Sequence, residues 1–319
     1  MTVLFALLST MAYSMQSTLL AGYYRQFDNR LVVFLRNSAL VVFMLPVLLF
    51  VPESDLTFSK VPFSLLCLSC VSGFVGMLLF ARALHDLPVG IVAAFNMSAL
   101  TISTFTLEAF FTGEIPRFFQ MFFALLVVWF SISLCLSRAE LARLLDGITF
   151  LKSVGEDSSI DKNQSGLPEG SVSVAGRAYL LAAGSGILHG VTFFSFGIVS
   201  RKLNPLWASY LLESGVFLTA FLALLVSVRG SSKSIFSISL GNAFRVMAFG
   251  LPAIAGTVCF SLATVYGPIV IAAAVLAAQP VFSGMFAFIF YQERLSGRQF
   301  RALFGVCISI ALLQVVSGL

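Results

Sequence analysis

Between Arg245 and Glu293 lie 47 residues without one charged side chain. As helix, at about 1.5 Å per residue, such a stretch is roughly 70 Å long, and a membrane-spanning helix needs only about 30 Å. It is too long and too apolar for the core of a soluble domain, so it must cross a bilayer twice with one reversal. Tyr266-Gly267-Pro268 supplies the reversal, because proline cannot continue the preceding helix and glycine permits a tight turn. A second long apolar stretch, Val61 to Gly113, breaks at Leu87-Pro88.

Composition agrees with that reading. Of the 319 residues, 59% are hydrophobic and only 10% charged, against about 25% charged in soluble domains. So apolar a chain cannot stay disordered. The net charge of +5 comes from residues at the ends of apolar segments. It therefore marks membrane topology rather than a nucleic-acid surface. The five cysteines sit inside apolar segments; Cys67 and Cys70, three apart, have no second pair or nearby histidine to complete a zinc site, and all five read as buried thiols.

The same ruler predicts ten helices, at about 2 to 23, 31 to 51, 61 to 86, 88 to 113, 118 to 137, 178 to 202, 205 to 228, 244 to 266, 268 to 291 and 300 to 318. Residues 1 to 24 hold no Lys or Arg, so the first segment reads as a retained span rather than a cleaved leader. The one long hydrophilic stretch is 138 to 177. Its first part places Leu141, Leu144, Leu145, Ile148 and Leu151 on one helical face, as in a helix lying on the membrane surface, and Glu156 to Ser173 reads as a flexible linker. Three regions follow: 1–137 and 178–319 as five-helix units, joined by 138–177.

The two units repeat each other. Laying the second on the first so that Gly256 falls on Gly76 also brings Phe260, Ala263, Pro268, Ile271, Ala273, Ala274, Ser283 and Phe290 onto Phe80, Ala83, Pro88, Ile91, Ala93, Ala94, Ser103 and Phe110. Because each unit has an odd number of spans, the copies lie in opposite orientations. Such inverted repeats build the binding sites of secondary transporters at their interface near the bilayer midplane.

The run Ala83-Leu84 through Pro88-Val89-Gly90, closing on Thr112-Gly113-Glu114, and its copy ending Gln279-Pro280 through Gln292-Glu293-Arg294, resemble the ten-helix EamA type of the drug/metabolite transporter superfamily. The resemblance covers nearly the whole chain except the linker. It implies an all-α polytopic membrane protein of ten transmembrane helices in two inverted five-helix repeats. It also implies transport of a small metabolite such as an amino acid, a nucleotide-like compound including S-adenosylmethionine, a sugar or a cationic drug. The fourth helix departs from the pattern, with Leu100-Thr101 where its repeat partner has Gln279-Pro280. Small four-helix members of that superfamily carry an essential carboxylate near the position of Tyr13, where this chain has no acid. The resemblance puts both termini in the cytoplasm. The charge count points the other way, since 15 of the 19 Lys and Arg lie on the side opposite the termini.

Polar groups inside the spans select a candidate site. A charge near the bilayer centre costs about 2.5 to 3.5 kcal/mol on insertion scales. Arg36, Arg82 and Glu108 lie five or six residues from a predicted helix end and read as snorkelling interfacial anchors. His189 and Glu213 lie at or near mid-span, where a partner or a cavity must hold them. Ser185, His189 and Thr192 share one face of the sixth helix, and the register that lays His189 on Tyr13 sets Ser185 on Ser9 and Thr192 on Gln16 in the first. Of the two stripes only His189 carries a group that exchanges protons near neutral pH.

These residues assign roles for transport. Arg82 receives an anionic group of the substrate, and Tyr13 and Tyr210 stack on its body. Gln16, Asn96, Ser185, Thr192 and Gln279 line the cavity, and His189 with Glu213 carries a coupling proton. An intramembrane enzyme such as a protease, built on Ser185 with His189 or His85, and a non-transporting scaffold are the alternatives. No Walker-type loop or carboxylate cluster calls for a nucleotide or a metal, and no cofactor is expected. The expected partners are a small-molecule substrate and the lipid bilayer, without nucleic acid, for a monomer or homodimer in the cell (inner or plasma) membrane.

Overall fold

A computed structural model describes residues 1–56, 62–87, 89–113, 118–135, 169–230 and 238–291, together with 297, 301, 304–306, 308–310, 312 and 316. Among the described residues all long elements are helices. They are α1 (Thr2–Gln26), α2 (Asn29–Met44, continued by a 3-10 stretch to Phe50), α3 (Phe63–Asp86), α4 (Val89–Phe111) and α5 (Phe118–Cys135), then α6 (Glu169–Lys202), α7 (Pro205–Gly230), α8 (Leu240–Tyr266) and α9 (Ile269–Phe290). Eight of them are long and apolar enough to cross a membrane, and α5 holds a shorter apolar helix, Met121–Phe130. The tenth predicted span is described only in short helical pieces, and residues 136–168, with the predicted surface helix and most of the linker, lie outside the described residues. Residues 169–177 were expected in the linker and are helical instead, the first turns of α6.

Hydrophobic side chains coat the outside, and hydroxyl groups are buried inside among an apolar core. On α1, Leu4, Leu8 and Met11 are exposed, whereas Ser9, Thr10, Ser14 and Gln16 are buried. With no hydrophobic force between helices in lipid, hydrogen bonds and close backbone packing hold the bundle together. α1 packs chiefly along α8 and α3 along α6, so each pair joins one repeat to the other.

Helix ends follow the repeat. Asp28 caps α2 by accepting from the Arg30 N–H at 2.8 Å, and its counterpart in the second repeat, Asn204, caps α7 by accepting from the Leu206 N–H at 3.0 Å. Arg25 at the end of α1 donates to the Leu84 and Leu87 carbonyls at 2.9 and 3.3 Å. Arg201, which the same register sets on Arg25, donates to the Thr264 and Gly267 carbonyls, both at 3.0 Å. Guanidinium groups thus satisfy orphan carbonyls at the negative ends of α3 and α8.

One element breaks the symmetry. α4 runs without interruption, but its mate α9 is two segments, Ile269–Leu276 and Gln279–Tyr291, parted by a turn at Ala277 and Ala278. Irregular backbone at membrane depth needs partners inside the protein. Here Thr101, Thr10 and Ser14 donate hydroxyl hydrogen bonds to the carbonyls of Ala273, Val275 and Gln279 at 3.2, 3.3 and 3.1 Å.

Candidate functional site

A cavity of about 120 Å³ lies between the repeats, walled by α1, α2, α3, α4, α6, α7 and the broken α9. The centre of one water needs roughly 10 to 15 Å³ of such space, so the cavity suits a small organic solute. Leu20, Tyr24 and Phe80, in the later turns of α1 and α3, extend it toward the face where those helices end. At the opposite face Phe5 stacks on Tyr266 at 5.7 Å between centroids, and a Cβ on Gly267 would collide with the Thr2 hydroxyl.

The cavity floor holds an ion pair. Arg36 on α2 and Glu213 on α7 are 2% and 3% exposed, and Nη1 stands 3.7 Å from Oε2. Asn37 bridges them, accepting from Arg36 Nη1 and donating to Glu213 Oε2, each at 2.9 Å. Thr257 Oγ1 donates to Glu213 Oε1 at 2.6 Å and lies 2.9 Å from the Tyr13 hydroxyl. The Gln16 amide oxygen, oriented by its neighbours, accepts from Nε and Nη2 of Arg36. Burying two charges is costly unless hydrogen bonds satisfy them, and this network supplies those bonds from α1, α2 and α8. Asn37 and Glu213 are themselves 176 residues apart, so a repeat-mated pair meets where the halves adjoin.

The second polar group is the predicted stripe of α6. The Asn96 amide donates to Ser185 Oγ at 2.6 Å and lies 3.0 Å from His189 Nδ1. A bond from that amide N–H leaves Nδ1 as the acceptor and the ring proton on Nε2. Ser185 gives its own proton to the Gly76 carbonyl at 2.8 Å, which leaves none for His189, 3.4 Å away. Ser9 on α1 makes the mated bond to the Gly256 carbonyl at 2.7 Å. Thr192 lies 2.9 Å from Ser72 Oγ, and the Gln279 amide donates to Ser17 at 3.1 Å.

Of the sequence candidates, Tyr13, Gln16, Asn96, His189, Thr192, Gln279 and Glu213 line the cavity, and Ser185 stands behind Asn96 and His189. Arg82 is exposed on the outside of α3, and Tyr210 stacks on Trp207 at 5.8 Å; neither lines the cavity. Two residues read as interfacial anchors are buried. Arg36 faces inward to Glu213. Glu108 is 0% exposed at the end of α4, where it accepts the Ile269 and Val270 N–H groups at 2.9 and 2.5 Å and stands 3.6 Å from Arg201. The physical reason is that Glu108 meets the positive N-terminal end of α9, a better partner than a headgroup. Asn37 and Thr257 were missed altogether, though the register that lays His189 on Tyr13 sets Glu213 on Asn37 and so points to the former.

The sequence pattern of the EamA-like transporter family matches residues 1–135 and 176–315, which is both repeats without the connecting segment. Among solved proteins, a crystal structure of a protein superposes over 98% of this chain and 97% of its own, with a TM-score of 0.69 at 16% identity, a likeness of fold. No curated protein matches the chain.

Proposed function

The chain belongs to the EamA-like transporter family, and from that premise we propose that it is a secondary transporter or exchanger of a small organic metabolite. The observation that carries this reading is the cavity between the repeats with a buried, hydrogen-bonded Arg36–Glu213 pair on its floor. Ionisable groups at membrane depth are expensive and mark solute or ion paths. Tyr13, Gln16, Asn96, Thr192 and Gln279 surround the solute, and alternating access moves it as the repeats rock, with the α9 break giving the moving segment its joint.

In this reading His189 and Glu213 carry the coupling proton, since both line the same space. The test is uptake and efflux of a labelled metabolite panel in proteoliposomes, with and without a pH gradient. His189→Gln keeps hydrogen bonding to Asn96 and removes proton exchange. This variant should still exchange substrate while losing gradient-driven accumulation. Full accumulation by the variant would make His189 a helix contact and leave Glu213 as the carrier.

A further inference from the structure

A second cavity, of about 190 Å³, lies away from the first, among α4, α5 and the first segment of α9. Its cause is legible on α5, where every side chain from Phe118 to Phe130 is Val or larger except Ala124. Ala124 is buried and lines the gap, so its single methyl leaves open a space that a longer side chain would fill. Val270 and Ile271 of α9 and Thr101 of α4 form the buried wall, whereas Ile102 and Leu125 are exposed on the outside of the bundle. The space therefore runs inward from the lipid-facing flank to the core.

Among the described residues no charged side chain lines it, and its one hydroxyl is already engaged, since Thr101 Oγ1 lies 2.9 and 3.2 Å from the Met97 and Ala273 carbonyls. A buried water needs about two to four polar partners, and apolar cavities of about 150 Å³ stay dry and take up hydrocarbon. An empty space would forfeit the dispersion contacts of every side chain around it. At this flank the surrounding solvent is itself hydrocarbon. Thr101 lies near the middle of α4 and Phe105 one turn nearer its end, so the opening falls within the acyl layer of one leaflet rather than among headgroups.

We propose that this gap is a binding site for an acyl chain of a bilayer phospholipid, which enters between Ile102 and Leu125 and packs its methylenes against Ala124, Val270 and Ile271. The chain braces the first segment of α9 against α5 where Thr101 holds the Ala273 carbonyl, one turn short of the break at Ala277 and Ala278. The site shares no lining residue with the cavity between the repeats and stands whatever that cavity carries.

The experiment places the full chain in nanodiscs of phosphatidylcholine carrying a photoreactive diazirine partway along one acyl chain, and maps the adducts by digestion and mass spectrometry. Adducts on Ile102 and Leu125 should exceed those on Leu8 and Met11, which face lipid on the outside of α1, by about tenfold, a preference of about 1.4 kcal/mol. Ala124→Phe fills the gap from within and should bring the yields level, and Ala124→Leu adds fewer atoms should Ala124→Phe fail to fold. In detergent stripped of lipid, the folded variant should unfold at a higher temperature than the wild type, because its side chain replaces the missing hydrocarbon; earlier unfolding of both variants overturns the brace. Equal adduct yields in the wild type overturn the site, as does an excess that a folded variant leaves untouched. Cross-links between two copies through α5 in place of lipid adducts would assign the gap to a second chain and overturn it too.

Discussion

α1 and its repeat mate α6 share their scaffold contacts and differ where they meet the cavity. Ser9 and Ser185 donate to the carbonyls of Gly256 and Gly76, and Arg25 and Arg201 cap mated helix ends. One step further along each stripe, Tyr13 reaches Thr257 and through it Glu213, whereas His189 sits against Asn96. On the helices that follow, mated positions hold Asn37 and Glu213. The shared contacts bring backbones together, a demand both repeats face equally. The differing ones set charge in a single cavity, which needs only one of each.

Removing either member of the Asn37–Glu213 pair breaks that comparison most strongly. Glu213→Ala leaves Arg36 buried beside a missing carboxylate and should lower stability by about 3 to 5 kcal/mol. Asn37→Ala should cost about 1 to 3 kcal/mol. Unfolding by titration with a denaturing detergent measures both, and equal losses would mean that the charge is not what the floor depends on.

Glu108 has no mated acid, because the register that lays Gly256 on Gly76 places Phe288 there. Glu108→Ala removes a carboxylate from the Ile269 and Val270 N–H groups and should cost about 1.5 to 3 kcal/mol. It should also loosen one face alone, so that a cysteine at Thr2, which packs on Gly267, reacts faster with maleimide. Unchanged labelling would show that Glu108 does not hold Thr2 against Gly267.

A milder test sharpens the shared part. A Cβ at Gly256 would stand 2.9 Å from the Tyr13 ring, and one at Gly76 would stand 3.0 Å from the His189 ring. Gly76→Ala and Gly256→Ala should each cost about 1 to 3 kcal/mol, and by similar amounts. A large inequality would deny that the two contacts are equivalent. The smallest effect is expected from deleting 156–168, which should change stability by less than about 0.5 kcal/mol and leave transport intact. Loss of transport at normal membrane levels would give that segment a role in gating.

Much of this was legible in the chain itself. Charge-free length dictates spans, because each residue of helix advances a fixed distance and lipid offers no partner for a bare peptide group. Odd-numbered repeats dictate inversion, and the mid-span depth of His189 and Glu213 marks them as groups needing partners. Which partners they have was decided only by tertiary structure. Successive residues on a helix point about 100° apart, so Arg36 at the same depth serves as an outward anchor or an inward ion according to how α2 is rotated. That rotation is set by packing against α7 and α8, far away in sequence. Glu108 met the end of α9, 161 residues on, for the same reason. Depth is a property of the segment, and facing is a property of the bundle.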